Sequence, residues 1–211
     1  MSGAFKVLAG FASEHKALDV ARLVSIPSRN LNAILISRGI PLEDLDAVEA
    51  ALLGVGPVIT AADAIRFTFT RTPIPPQRFN TARFPALYTA IDETTCLAEI
   101  KHHLRGQFAV TEQRYYQFLY VTFSGSALVT VGHEEAQPDL VSPTPAGYTY
   151  CQSLGTEARA AGNDALYASS ARNPGGICMP IFSEPTLSAP SIKTTVRFTY
   201  DGVDVHHQSL V

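Results

Sequence analysis

Tryptophan is absent from this 211-residue chain, and it contains only two methionines and three cysteines. Cys96, Cys151 and Cys178 are far apart and form no CxxC pair, so the sequence predicts neither a disulfide framework nor a zinc site. The histidines offer no better metal-binding pattern, because HEE at His133 lacks the second histidine of HExxH. We therefore expect no bound metal.

Long apolar runs are also missing, since no segment approaches the roughly 20 residues of a membrane-spanning helix. Glu14 and His15 interrupt the N-terminal apolar stretch, which is unlike a signal peptide, so a cytoplasmic protein is expected. Charged residues make up only 17% of the chain and the formal net charge is −3. This balance argues against direct nucleic-acid binding, which needs a basic surface.

The common nucleotide-binding and hydrolase motifs are absent as well. Neither GxGxxG nor GxxxxGK[ST] occurs, which argues against a Rossmann or P-loop site. There is no GxSxG elbow, and Ser124–Ser126 is interpreted as a hairpin-like turn between two strands.

Hydrophobic periodicity divides the chain at residue 60. Residues 1–60 are predicted to be a helical extension, with one helix carrying an apolar face over Ala17–Val24 and a second beginning at Pro41. From Asp63 the period changes to two, which predicts a half-buried strand over Ile65–Thr70. Further strands are predicted at Gln117–Phe123, Ala127–Val131, Ala165–Ser169, Ile177–Phe182 and Ile192–Tyr200. Helices are predicted at Thr94–Arg105 and at Tyr150–Ala161, the latter ended by Gly162, with a surface loop over Gln137–Pro145. Strands outnumber helices, so residues 61–211 are expected to form an α+β domain with antiparallel sheets.

The most informative segment is RFNTARFPALYTAIDETTCLAEIKHHLR, which covers residues 78–105. A short strand is predicted around Tyr88, and Asp92 is positioned to cap the helix that follows. Glu99 lies at the edge of the apolar stripe of that helix, where a carboxylate can be partly desolvated and directed inward. A surface glutamate on an amphipathic helix is the competing interpretation.

Five short motifs together resemble the RES-domain family, bacterial toxins of RES–Xre toxin–antitoxin systems that are related to diphtheria-toxin-like ADP-ribosyltransferases. They are Arg66, RFN at 78–80, PALYTA at 85–90, LAEI at 97–100 and YASSARNPGG at 167–176. The chain departs from the family pattern at Phe79, which replaces a tryptophan, and at Pro76-Gln77, which replaces two glycines. The resemblance implies an ADP-ribosyltransferase-like core of two small antiparallel sheets flanked by helices.

The resemblance also implies cleavage of NAD⁺ between nicotinamide and ribose, with NAD⁺ consumed as a substrate and no separate cofactor. Glu99 is the candidate that stabilises the developing positive charge on ribose, with Arg66 and Tyr88 as further catalytic residues. Candidate NAD⁺-binding residues are Arg78, Asn80, Thr149, Gln152 and Ser170. The alternatives are a solvated surface arginine for Arg78, a core tyrosine for Tyr88, and caps or turns for the hydroxyl residues.

Two acceptors remain open after nicotinamide leaves. Water or phosphate would make the protein an NAD⁺ glycohydrolase or NAD⁺ phosphorylase, whereas a protein or nucleic-acid acceptor would make it a mono-ADP-ribosyltransferase. Related transferases often carry an acidic residue two positions before the catalytic glutamate, and this chain has Leu97 there, which favours NAD⁺ degradation. The resemblance further implies a Xre/ParS-type antitoxin as partner. The apolar faces within residues 1–60 leave a homo-oligomer open.

Overall fold

The computed structural model describes residues 7–8, 10–25, 39–44, 48, 60–108 and 113–210. Its strands are β1 (Ala12–Ser25), β2 (Leu87–Ala90), β3 (Gln113–Val129), β4 (Ala165–Ser169), β5 (Ile177–Ile181), β6 (Leu187–Tyr200) and β7 (Val205–Leu210). Its α-helices are α1 (Ala61–Thr70), α2 (Glu93–Arg105) and α3 (Pro145–Ala160). The predicted α+β class is confirmed. None of the helices in this part of the chain has the length and apolar character needed to cross a membrane.

The strands form one mixed sheet in the order β1-β2-β5-β4-β3-β6-β7, and β1 also pairs with β3. The pairings of β1 with both β2 and β3 close five strands into a ring. A single mixed sheet therefore replaces the two small antiparallel sheets that were expected. The reason is β3, which pairs with β6 along its first part and in parallel with β4 at its end, and so joins the two halves.

The predicted turn at Ser124–Ser126 is wrong, because these residues continue β3. Gly125 pairs with Lys16 of β1, and a Cβ atom built on it would lie 2.8 Å from the Asp164 carboxylate. The same carboxylate accepts a hydrogen bond from the Ser126 N–H at 2.9 Å. Gly125 therefore permits a close approach between chain segments, not a reversal of the strand.

The predicted helix over Ala17–Val24 is also wrong, because these residues belong to β1. This 14-residue strand pairs with β3 from Ala12 opposite Val129 to Ser25 opposite Tyr116. Both faces of its second half are buried, since Val20 and Val24 join one core cluster while Ala21 and Leu23 join another. A strand that is buried on both faces loses its alternation, and its sequence then imitates a helix. The predicted boundary at residue 60 leaves this strand of the sheet in the N-terminal part.

The opposite error occurs at Ile65–Thr70, which was predicted as a strand and lies in helix α1. Thr60 caps the helix, its side chain accepting a hydrogen bond from the Asp63 N–H at 3.0 Å. The hydroxyls of Thr68 and Thr70 bond back to the carbonyls four residues earlier, so the threonines that suggested alternation are accommodated within the helix.

The remaining elements agree with the sequence except at their ends. Strands β2, β4 and β5 and the Asp92 cap of α2 are confirmed. Helix α3 begins at Pro145, five residues before its predicted start, because Thr144 caps it. Strand β6 begins at Leu187, and β7 was not predicted. Of the second N-terminal helix, a 3-10 turn over Leu42–Asp44 and the helical residue Val48 are described, and the rest lies outside the described residues.

Three buried clusters fix the helices on the sheet. The first fills the ring and includes Ala64 and Ile65 of α1. The second packs α3 against β4, and the third packs α2 against β1, β3, β6 and β7. Along β2, Tyr88 contacts the α3 cluster and Ala90 belongs to the α2 cluster. The cluster under α3 and the cluster under α2 therefore meet on β2, between Tyr88 and Ala90.

Candidate active site

The Glu99 carboxylate lies on α2 and is held by residues from two other elements. Its Oε1 accepts a hydrogen bond from the Ser170 hydroxyl at 2.6 Å and one from the Cys178 thiol at 3.5 Å. Cys178 lies on β5 opposite Ala90, so the carboxylate stands over the point where the α2 and α3 clusters meet. Burial, with the nearby Glu99 charge, raises the pKa of the Cys178 thiol, which keeps it protonated and able to donate. The predicted inward placement of Glu99 agrees with this geometry.

The segment from Ser170 to Gly176 forms a tight loop against the first turn of α2. The Ser170 N–H donates to the Gly176 carbonyl at 2.8 Å, and the Asn173 amide donates to the Thr95 hydroxyl at 2.9 Å. Thr95 in turn donates to the Asp92 carboxylate at 2.8 Å. Ser170 was predicted to lie at the candidate site, and it lies beside Glu99 because these contacts join its loop to the cap of α2.

Tyr88 lies on β2, two residues before the Ala90 position that pairs with Cys178, and its hydroxyl is fixed. The hydroxyl accepts a hydrogen bond from the Phe79 N–H at 2.7 Å and donates to Asn80 Oδ1 at 3.1 Å. Burial raises the pKa of this hydroxyl, so it remains protonated at physiological pH. Asn80 is 2% exposed, and its amide donates to the carbonyls of the surrounding loop. The RFN motif is therefore joined to Tyr88 by hydrogen bonds.

Sequence reasoning missed Arg22 as a candidate, although this arginine contacts the backbone of β2 at Tyr88. Arg22 lies on β1 between Val20 and Val24, and its Nη1 donates to the Tyr88 carbonyl at 3.2 Å. Burial and the nearby Arg71 charge lower the pKa of its guanidinium. Neither Arg22 nor Arg71 forms an ion pair with a carboxylate of the described residues. The signal that was overlooked is a lone arginine within the apolar run of β1.

Arg22 and Arg71 line a pocket that reaches the RFN motif. Its other lining residues include Thr68, Gln77, Asn80 and Pro85. Two guanidinium groups and no carboxylate line this pocket, so its charge favours an anion such as a phosphate group.

Further positive charge lies beside Glu99. Burial lowers the pKa values of His102 and His103, and the charge of Arg172 lowers both further, whereas the charge of Glu99 raises them. Arg78 also lowers the pKa of His103, so the charges of Glu99, Arg172 and Arg78 all act on one histidine. The Arg172 guanidinium makes no ion pair within the described ranges. The surroundings of His103 thus combine the negative charge of Glu99 with the positive charges of Arg172 and Arg78.

Arg78 holds the segment that precedes α3. Its guanidinium donates to the Leu140 carbonyl at 3.3 Å and to the Ser142 carbonyl at 2.9 Å, and it lies 4.8 Å from the centre of the Tyr148 ring. Through these contacts the Arg78 guanidinium stabilises the protein itself, whether or not it also contacts a ligand.

We expect Arg78→Ala to lower the free energy of unfolding by about 1–3 kcal/mol, because it leaves two carbonyl groups without their charged donor. Thermal and urea denaturation would measure the loss. Arg83→Ala is a suitable control, because Arg83 is exposed and no side-chain contact of its own is seen in the described structure. Equal stability of the two variants would contradict a structural role for Arg78.

The other predicted residues are more dispersed. Arg66 is an exposed residue of α1 whose guanidinium pairs with Asp63, and no contact joins it to Glu99 or Tyr88 in the described structure. The Thr149 hydroxyl bonds back to the Pro145 carbonyl at 3.0 Å, as expected for a helix turn. Gln152 donates to the Gln77 carbonyl at 2.9 Å, next to Arg78. The described residues contain no group of three side chains suited to hold a metal ion.

Comparison with known proteins identifies a family and a similar fold among solved structures. A family model described as the RES domain matches residues 57–201, more than half of the chain. A search of curated proteins finds no match. The crystal structure of the M. tuberculosis MbcT–MbcA toxin–antitoxin complex contains a chain with a similar fold, at 14% identity and a TM-score of 0.53. The alignment covers 94% of this chain and 93% of that one.

Proposed function

Because the chain belongs to the RES-domain family, we propose that it degrades NAD⁺ by cleaving the bond between nicotinamide and ribose. The observation that carries this proposal is the Glu99 carboxylate, which is fixed by Ser170 and Cys178 and has the charges of Arg172 and Arg78 nearby. Such a site can stabilise positive charge on a sugar while binding the negative charge of a pyrophosphate. The proposal includes an ADP-ribosyltransferase-like arrangement of the core.

The chemistry follows from charge. As the C–N bond breaks, nicotinamide leaves with the bonding electron pair as a neutral molecule, and positive charge develops on the ribose. Glu99 stabilises that charge from one side, most strongly when bound substrate excludes water. Water or phosphate then attacks the ribose carbon, and the attacking group loses a proton if it is water.

We assign the pyrophosphate contact to Arg22, in place of Arg66, with Arg71 beside it. Arg22 donates to the Tyr88 backbone carbonyl and lines the same pocket as Arg71, whereas Arg66 is exposed and paired with Asp63. The Tyr88 hydroxyl is already engaged by Phe79 and Asn80, so we assign the nicotinamide or ribose contact to its ring. Arg78, Thr149 and Gln152 remain candidates for the far side of the dinucleotide, whereas the buried Asn80 side chain is used within the protein.

Degradation of NAD⁺ is favoured over transfer to a macromolecule by the position two residues before Glu99. Leu97 packs against the α2 cluster and has no group that could activate an acceptor. We also propose that the protein is the toxin of a toxin–antitoxin pair, acting in the cytoplasm and restrained by a Xre/ParS-type partner. The similar fold in a toxin–antitoxin complex supports this assignment.

Incubation of the purified protein with NAD⁺, with and without phosphate, tests the proposal. Free nicotinamide should appear, together with ADP-ribose if water is the acceptor or its 1″-phosphate if phosphate is. Labelled NAD⁺ incubated with a cell lysate would reveal transfer to a macromolecule, the alternative activity. Absence of nicotinamide under all these conditions would reject NAD⁺ cleavage.

A further inference from the structure

The Ser170 hydroxyl has used all of its hydrogen-bonding capacity within the protein. It donates to Glu99 Oε1 at 2.6 Å, and it accepts from the N–H groups of Arg172 at 3.1 Å and Asn173 at 3.0 Å. A serine hydroxyl has one proton and two lone pairs, so no donor or acceptor remains for a substrate. Ser170 is also only 8% exposed.

The loop that carries Ser170 is fixed to the same helix as Glu99. Asn173 donates to Thr95, which is fully buried in the first turn of α2. At Gly176, a Cβ atom would lie 2.7 Å from the Asn173 amide nitrogen, so any larger residue would separate the loop from the helix. The position of Ser170 relative to Glu99 is therefore set by the fit of this loop on α2.

We propose that Ser170 is a positioning residue that orients the Glu99 carboxylate, and that Asn173 and Gly176 act as its anchors. This inference rests on the proposed function and differs from the predicted role of Ser170 as an NAD⁺ ligand. With Oε1 held by Ser170 and Cys178, Oε2 makes no hydrogen bond to any described residue and is the oxygen that faces the ribose. A carboxylate fixed in this way needs no reorganisation as charge develops.

The test compares Ser170→Ala with Ser170→Thr and Ser169→Ala. Ser170→Ala should lower kcat for NAD⁺ cleavage by about 10- to 100-fold with little change in KM, because orientation is lost and no substrate contact is removed. Ser170→Thr keeps the hydroxyl and should recover most of the turnover. Ser169→Ala is the matched control, since its hydroxyl donates to Glu134 instead, and it should retain wild-type turnover.

A double-variant experiment shows whether Ser170 acts through Glu99. Adding Ser170→Ala to Glu99→Gln should cause no further loss of turnover and no loss of NAD⁺ affinity by calorimetry. If Ser170→Ala does not fold, as judged by thermal melting, Asn173→Ala provides the same test by releasing the loop from Thr95.

Three results would overturn the positioning role of Ser170 without affecting the proposed function. They are a wild-type kcat for Ser170→Ala, weaker NAD⁺ binding in the double variant than in Glu99→Gln, and a loss of kcat in the double variant equal to the product of the two single losses. If Glu99→Gln is impaired, the proposal that the protein cleaves NAD⁺ stands after any of these three results. Absence of nicotinamide release from the wild-type protein would instead overturn the proposed function, and this role with it.

Discussion

Glu99→Gln should reduce NAD⁺ cleavage by roughly two to three orders of magnitude, the loss typical of one transition-state electrostatic contact. Glutamine keeps the shape of the side chain and can still accept the hydrogen bond from Ser170, but it carries no negative charge. The positive charge that develops on ribose then lacks its stabilising partner. The measurement is nicotinamide release over time at saturating NAD⁺, and expression of the variant should no longer lower cellular NAD⁺.

Glu93→Gln is the matched control, because Glu93 lies on the same helix and contacts Tyr120, away from Ser170. It should turn over NAD⁺ at the wild-type rate. Wild-type turnover in Glu99→Gln would remove Glu99 from the mechanism, while comparable losses in both variants would indicate a general effect of charge on α2.

Arg22→Ala should weaken NAD⁺ binding by about 2–4 kcal/mol if its partly desolvated guanidinium contacts the pyrophosphate. The protein surroundings offer this guanidinium one carbonyl and, among the described residues, no carboxylate. Its remaining donors are therefore available for an anion. Calorimetry in the Glu99→Gln background would separate binding from turnover, and thermal melting would confirm that the fold is retained.

Arg66→Ala distinguishes this assignment from the one made from sequence. Arg66 is exposed and pairs with Asp63 on the surface, so its loss should change the NAD⁺ affinity by no more than about 0.5 kcal/mol. If Arg66→Ala weakens binding and Arg22→Ala does not, the sequence-based assignment is correct and the pocket lined by Arg22 and Arg71 is not the phosphate site.

The structural features around the candidate site that were predicted correctly are those determined by local sequence. Asp92 caps α2 through its own side chain, and the helical spacing from that cap places Glu99 at the edge of the buried stripe. The strand that carries Tyr88 was predicted because β2 is short and lies between clear breaks in the sequence. Such features depend on residues within about one turn or one strand of each other, so periodicity and capping rules reach them.

The errors arise where distant contacts decide the structure. Nothing near Ala17–Val24 shows that β3 pairs along the whole of β1 and that both faces of β1 become buried. Arg22 was overlooked for the same reason, since a helix would have turned it toward solvent. The hydrogen bonds of Ser170 likewise depend on a loop meeting a helix that lies 71 residues earlier in the chain.

The folding unit of this protein includes β1, because this strand closes the ring by pairing with both β2 and β3. The family match starts at residue 57, yet β1 lies upstream of it and supplies the partner for 14 positions of β3. A fragment cut at the family boundaries would leave that edge of β3 as an unpaired template for other chains and would lack Arg22. The segment that the family model matches is thus shorter than the set of strands that forms the sheet, and the difference includes Arg22.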